Sequence, residues 1–350
     1  MKAALKTEDG RFELAEVDRP RLLREDWAVA RVRVAGICGT DLRHWKKPDH
    51  DLACRIMGHE LAGDVVEVGS GVHDLAPGDR VVIETVLGDG SCEWCRVGQY
   101  NLCPNLYPVR METVSQAFAE YVAGPATKFY RLPDHVSFEE AALLDTFSVA
   151  LHAMHLSGLR IGDKVVVIGA GPIGLGQLQL ARLMGAEVLV TDVIDSALDL
   201  ARTLGASAVV NGGDDDALEQ VLASTGGRGA DIVFECAGGE AMAKTLPQAT
   251  KFARIGGKVV IVGGFDEGEI AIPLDWQRIQ KGEIQLIPSA SYASWDLQPE
   301  MQICLDLLAA GKLNARDMIT HHFPIDAINE AFEAAEAKQQ TAATFVAIAI

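Results

Sequence analysis

Two short stretches place metal-binding side chains beside turn residues. Gly36-Ile37-Cys38-Gly39-Thr40-Asp41 offers a thiol, and Gly58-His59-Glu60 offers an imidazole about twenty residues further on. Thiolate sulfur and imidazole nitrogen are both good zinc ligands. Cysteine and histidine are also common core residues, so this pair alone leaves both readings open. A second group, Cys92-Glu93-Trp94-Cys95 and Cys103, crowds three of the chain's seven cysteines into residues 92–103. An odd total and a tight cluster in a chain of this size point to metal binding rather than to a disulfide framework.

A third stretch suits a nucleotide. Gly169-Ala170-Gly171-Pro172-Ile173-Gly174 follows the apolar run Val165–Ile168 and opens an apolar segment with helical spacing, Pro172–Met184. The first glycine permits a tight turn, the second lets a pyrophosphate approach the backbone, and the third lets helix and strand pack closely. The start of the helix offers free N–H groups and a positive dipole end to the phosphates. Asp192 closes the next strand about twenty residues on. There a carboxylate accepts from the ribose hydroxyls and repels a 2′-phosphate, so NAD is expected rather than NADP. The alternative is a glycine turn followed by an unrelated surface aspartate.

The elements that must position these residues fall into two kinds. Residues 1–145 lean to β-structure, with apolar runs at Trp27–Val34, Leu61–Val68 and Arg80–Thr85 separated by glycine, aspartate and proline. Residues 84–114 lack periodicity and carry the cysteine cluster, which marks a lobe that needs its own staple. From about residue 147 strands alternate with helices. Expected strands are Val165–Ile168, Glu187–Thr191, Ala208–Val210, Asp231–Glu235 and Lys258–Val262; expected helices are Pro172–Met184, Ser196–Leu204, Asp216–Thr225 and Ala241–Phe252. That alternation implies a parallel sheet covered on both faces. Further helices are expected at Pro299–Ala310 and Ile325–Ala337, and the β-like Ala343–Ile350 is expected to return to the first region.

Composition sets the outer bounds. The chain has 350 residues, 49% hydrophobic and 23% charged, which excludes disorder and suggests two domains. Lysine plus arginine total 31 against 49 acidic residues, a net charge of −18. This argues against nucleic-acid and anionic-membrane partners, whose binding needs basic patches. The first fifteen residues carry Glu8, Asp9, Arg11 and Glu13 instead of an apolar leader, and the longest uncharged run, Val165 to Ala181, is broken by glycine and proline. A cytoplasmic location is expected.

Taken together, these stretches, with Phe118-Ala119-Glu120-Tyr121 and the Phe323–Phe332 tail, resemble the zinc-dependent medium-chain dehydrogenase/reductase family along the whole chain. This is the alcohol, sorbitol and threonine dehydrogenase group. The resemblance implies an α/β fold: a GroES-like β-rich catalytic domain (1–146 and 290–350) and a Rossmann domain with a doubly wound parallel sheet (147–289). It implies a catalytic zinc held by Cys38, His59 and a third residue at Asp145, where sorbitol-type members have glutamate and alcohol dehydrogenases cysteine. A helix N-cap is the other reading of Asp145. Asp41 would accept from the free ring nitrogen of His59, and Glu60 would join the metal transiently. Thr40 falls where relatives place the hydroxyl that takes the substrate proton. Many relatives continue that relay to a histidine five residues after the metal cysteine; here Arg43 stands there and His44 follows, leaving either direct release to water or substitution by His44.

For the lobe, the resemblance implies a structural zinc whose fourth ligand, a cysteine in relatives, is Asp89 here, beside Cys92, Cys95 and Cys103. The alternative is a lobe that has lost its zinc and keeps three free thiols. The cofactor set is then NAD with one catalytic and one structural zinc per subunit. Gly169, Gly171, Pro172, Ile173, Gly174 and Asp192 form the nucleotide site. Zinc would act as a Lewis acid on a secondary alcohol, of the polyol or sugar type, whose carbon gives hydride to the nicotinamide. An L-threonine-like 3-hydroxy amino acid dehydrogenase and a zinc-free, quinone-reductase-like nucleotide-binding protein are the competing readings. A homodimer or homotetramer is expected from relatives. Cys54, Cys236 and Cys304 read as core thiols, His321-His322 as a solvated strand edge, and Trp45 and Phe147 as either packing or pocket lining.

Overall fold

The apolar runs of the first 131 residues fold as strands β1 (Lys2–Lys6), β2 (Phe12–Glu16), β3 (Trp27–Gly36), β4 (Glu60–Val68), β5 (Arg80–Ile83), β6 (Tyr121–Pro125) and β7 (Phe129–Arg131). The computed structural model that shows them describes residues 1–45, 55–106, 116–264 and 270–350. Cys54 and residues 107–114 of the lobe therefore lie outside the described residues. The central strand is β3, WAVARVRVAG, in which only Arg31 is exposed. A strand so apolar on both faces has to lie inside, and β3 pairs antiparallel with β4 and β6.

Between β3 and β4 the chain forms helix α1 (Gly39–Trp45). Its last residue anchors it: Trp45 is 2% exposed, with its ring 5.4 Å from Phe332, which also meets Phe12 at 4.8 Å and Phe118 at 5.7 Å. Trp45 is therefore core packing and not pocket lining. After β7 and a short helix, Phe138–Ala142, comes helix α2 (Leu144–Ser157), with Asp145 in its first turn. Asp145 is thus inside the helix and not its N-cap.

The second half follows the alternation. Strands β8 (Lys164–Ile168), β9 (Glu187–Asp192), β10 (Ala208–Asn211), β11 (Ala230–Glu235), β12 (Ala253–Ile261) and β13 (Gln285–Pro288) form a sheet in the order β10-β9-β8-β11-β12-β13. All its pairings are parallel. Numbered within the sheet this is 3-2-1-4-5-6, the dinucleotide-binding order, whose switch point lies between β8 and β11. Helix α3 (Pro172–Leu183) leaves the end of β8. Phe147, on α2, is fully buried and would touch a Cβ placed on Gly176 of α3. It too is packing.

The last stretch returns to the β-rich part through the small hairpin β14 (Ser294–Trp295) and β15 (Gln298–Pro299), then β16 (Ile319–Pro324) and β17 (Phe345–Ala349). Strand β17 pairs antiparallel with β3, giving a sheet in the order β16-β17-β3-β4-β5-β7 with β6 also on β3. Strand β16, which carries His321 and His322, lies at the edge of that sheet. The chain divides into two compact units: residues 1–145, 293–311 and 315–350, and residues 146–292 with 312–314. Among the described residues no helix is long and apolar enough to cross a membrane.

Candidate metal centres and nucleotide loop

Cys38 closes the turn that leads from β3 into α1, and His59 and Glu60 sit where the chain enters β4. Strands β3 and β4 pair in register at Gly36 and Glu60, so sheet pairing itself brings the two stretches together. The ligand atoms of Cys38, His59 and Glu60 all lie within 4.8 Å of one another. Gly36 makes room: a Cβ there would run into the Phe345 ring and the Glu60 carboxylate. Asp41 accepts a hydrogen bond from the Cys38 amide at 3.0 Å and faces His59 Nδ1 across 3.7 Å. The second distance is charge proximity and not yet the hydrogen bond expected of an imidazole partner. Thr85 donates to the His59 carbonyl at 3.2 Å.

Asp145 stands outside that three-residue cluster. It is buried, and its charge still reaches Cys38. Burial pushes the Cys38 thiol well up, and the carboxylates of Glu60, Asp41 and Asp145 push it further. Sulfur, nitrogen and carboxylate oxygen gathered in one largely buried, negatively biased spot are the donor set of a divalent cation such as zinc. Such a cation would offset the same burial and repulsion that disfavour the thiolate without it.

Thr40 Oγ1 is 3.9 Å from Cys38 Sγ and accepts a hydrogen bond from Arg43 Nη2 at 3.0 Å. His44 is not among the groups bonded to that hydroxyl.

The lobe brings its residues together without a core of its own. A four-residue helix, Glu93–Arg96, starts at Cys92, whose sulfur accepts from the Cys95 amide, and a 3₁₀ turn at Tyr100–Leu102 ends at Cys103. The ligand atoms of Asp89, Cys92, Cys95 and Cys103 all lie within 4.8 Å of one another. Cys92 Sγ to Cys95 Sγ is 3.5 Å, and Cys95 Sγ to Asp89 Oδ1 is 3.6 Å. These are edge lengths of a tetrahedron with arms of about 2.0–2.3 Å, the zinc–ligand range. Three bonds hold Asp89 in place. Its Oδ1 accepts from the Ser91 and Cys92 amides, and Oδ2 accepts from the Asn105 side chain at 2.7 Å. The same bonds hold its carboxyl well below the usual range. Burial pushes Cys95 up to about 12. This is again a donor set that suits a cation.

Sequence reasoning passes over what lies beneath the lobe. Glu84, directly after β5, is fully buried, 2.8 Å from Lys128 Nζ, and accepts from the Tyr130 hydroxyl at 2.6 Å. Lys128 Nζ in turn lies 3.5 Å from the ring centre of Tyr100, a lobe residue. Burial and the Glu84 charge raise both tyrosines far above their ordinary range. A glutamate ending an otherwise apolar strand run is the available signal.

In the parallel-sheet unit, Gly171 precedes α3 and Pro172 occupies its first turn, where a missing N–H costs nothing. A Cβ on Gly174 would collide with the Gly169 carbonyl, the close packing expected of the third glycine. Asp192 is bonded to the loop itself: one oxygen accepts from Ala170 N at 2.6 Å, the other from Val193 N at 2.7 Å and Ile194 N at 3.0 Å. A carboxylate has about four acceptor sites, so these three bonds leave room for a ribose hydroxyl.

Comparison with known proteins gives consistent results. Residues 24–134 match the alcohol dehydrogenase GroES-like domain family, and residues 172–310 match the zinc-binding dehydrogenase family. The chain is 33% identical to the sorbitol dehydrogenase of Bacillus subtilis over 346 residues, 96% of this chain and 93% of that protein. It is 34% identical to the L-idonate 5-dehydrogenase of Vitis vinifera over 319 residues, 87% of this chain and 83% of the relative. An alcohol dehydrogenase structure from Thermus sp. ATN1 superposes with a TM-score of 0.86 at 30% identity, covering 100% of this chain and 99% of that one.

Proposed function

The chain belongs to the zinc-dependent medium-chain dehydrogenase family, and from that premise we propose that it oxidises a secondary alcohol of the polyol or sugar type with NAD as hydride acceptor. The observation that carries this reading is the cluster of a half-buried thiol with a buried imidazole and carboxylate at Cys38, His59 and Glu60, in a chain whose other unit carries the nucleotide loop. The sorbitol and L-idonate dehydrogenases among the relatives support the substrate class. When bound, zinc supplies Lewis acidity that lowers the pKa of an alcohol, and the nicotinamide supplies the hydride acceptor.

In this reading Cys38, His59 and Asp145 would hold the catalytic zinc, with Glu60 as a further carboxylate beside it. Asp41 anchors the Cys38 backbone and faces His59. Thr40, beside Cys38, takes the proton of the alcohol. The structural zinc takes Asp89, Cys92, Cys95 and Cys103. Asp192 gives the preference for NAD, since its charge opposes a 2′-phosphate. Gly169, Gly171, Pro172, Ile173 and Gly174 shape the pyrophosphate turn. A homodimer or homotetramer in the cytoplasm completes the reading, and sedimentation equilibrium checks the assembly. The two donor clusters favour a zinc enzyme over the zinc-free reading, and the sorbitol and L-idonate dehydrogenases favour a polyol over a 3-hydroxy amino acid.

The test is a screen of polyols, sugars, hydroxy amino acids and simple alcohols against NAD⁺ and NADP⁺, following reduced-cofactor absorbance, beside zinc analysis. Turnover of polyols with NAD⁺ and two zinc ions per chain is expected. Turnover confined to hydroxy amino acids, or equal in metal-free protein, would overturn the proposal.

A further inference from the structure

We propose that Arg43 is a positioning residue for the Thr40 hydroxyl, holding it so that it passes the substrate proton in one direction only and never through position 43. The inference rests on the reading above, in which Thr40 takes the proton of the alcohol. Its basis is one contact and the chemistry of its two partners. Arg43 Nη2 lies 3.0 Å from Thr40 Oγ1, three residues back on α1, and the guanidinium folds over the start of the helix so that Nη1 stands 3.8 Å from where a Cβ on Gly39 would be.

A threonine hydroxyl has one hydrogen and two lone pairs, whereas a guanidinium only donates and stays protonated at any working pH. Arg43 therefore occupies one lone pair of Oγ1 and never accepts its hydrogen. The other lone pair faces the Cys38 thiol, 3.9 Å away, and is released for the alcohol when Cys38 is a thiolate that no longer donates; the hydrogen remains as well. In the proton step the alcohol O–H breaks, a new O–H forms on Oγ1, and the hydrogen Oγ1 first carried leaves to a water or hydroxyl acceptor. No electrons are transferred in this step. A histidine at position 43 would accept that hydrogen; an arginine closes the route.

The contact also fixes a rotamer. Threonine in a helix divides between two χ1 wells, because its hydroxyl can turn back to a carbonyl of the preceding turn. A charge-assisted hydrogen bond from Arg43 is strong enough to select one well. The same bond sets Oγ1 beside Cys38 Sγ, 3.9 Å away. The hydroxyl's own bonds are to Arg43 and Cys38.

The experiment compares wild type, Arg43→Met, Arg43→Lys and Thr40→Val, each zinc-loaded and checked for NADH affinity by fluorescence. We expect Arg43→Met to keep NADH affinity and KM within about threefold, to lower kcat by about 10- to 100-fold, and to raise the solvent deuterium isotope effect on kcat. Arg43→Lys should recover part of the loss, since an ammonium also donates to Oγ1. In the Thr40→Val background Arg43→Met should have little further effect, because the group it positions is gone. A crystal structure of Arg43→Met should show Thr40 divided between two rotamers. An unchanged kcat and isotope effect, an undiminished loss in the Thr40→Val background, or a single unaltered Thr40 rotamer would each overturn the inference while leaving the dehydrogenase reading intact. Wild-type protein that oxidises no alcohol would overturn that reading, and the inference with it.

Discussion

At the scale of single residues, function turns on charge held near a metal or a phosphate. Cys38→Ser should remove the catalytic zinc and essentially all turnover while NADH still binds, because a serine hydroxyl replaces a thiolate in a site that gathers carboxylates to neutralise a cation. Zinc analysis and NADH fluorescence on the same sample check both halves. Asp192→Gly should raise the relative use of NADP, measured as the ratio of kcat/KM for the two cofactors, by removing a repulsion against the 2′-phosphate. The structure adds a cost: the Ala170 amide also loses its acceptor, so affinity for both cofactors should fall. The residues that are close in sequence, such as the glycine loop and the lobe thiols, are legible from spacing alone. Asp145 is not, since it comes from a different helix and its distance to Cys38 depends on tertiary folding. The Arg43 contact with Thr40 is allowed by their i,i+3 spacing but not marked by it.

At the scale of elements the lobe and the strand beneath it are the telling parts. Little apolar material lies within residues 84–106, and Trp94, Val97 and Leu102 stay exposed. The lobe's order must therefore come from polar contacts and from its donor cluster. Asp89→Cys should tighten zinc at that site, seen as slower loss to a chelator, because a soft thiolate replaces a carboxylate. In metal-free protein the same change should lower the melting temperature, since Asn105 and two amides lose their acceptor. Glu84→Gln should destabilise the protein by up to about 3 kcal/mol, leaving the largely buried Lys128 without its counter-charge. Adding Lys128→Met should return most of that loss, as paired removal of a buried ion pair is often neutral; denaturant unfolding of the three proteins checks it. The lobe's lack of periodicity is plain in the sequence, yet this network is not. Its members Glu84, Tyr100, Lys128 and Tyr130 are scattered over some 46 positions, and nothing in their local pattern announces that they meet.

At the scale of the whole molecule, the alternation of strand and helix after residue 147 is legible because each element carries its own period. The β-rich part is legible only in outline. The return of the C-terminal strand to this part is legible, but its pairing partner β3 and the order of the sheet are set by long-range pairing that a single sequence does not display. The central claim is that this chain is a zinc-dependent, NAD-linked oxidoreductase of polyol-type alcohols. The most direct measurement is NAD⁺ reduction by a panel of polyols before chelation, after chelation, and after zinc is returned, with zinc counted at each stage. Two zinc ions and polyol turnover are predicted at the start, then loss of turnover with the Cys38 zinc, and recovery when zinc is restored. Full polyol-dependent NAD⁺ reduction in protein verified to hold no metal would contradict the claim.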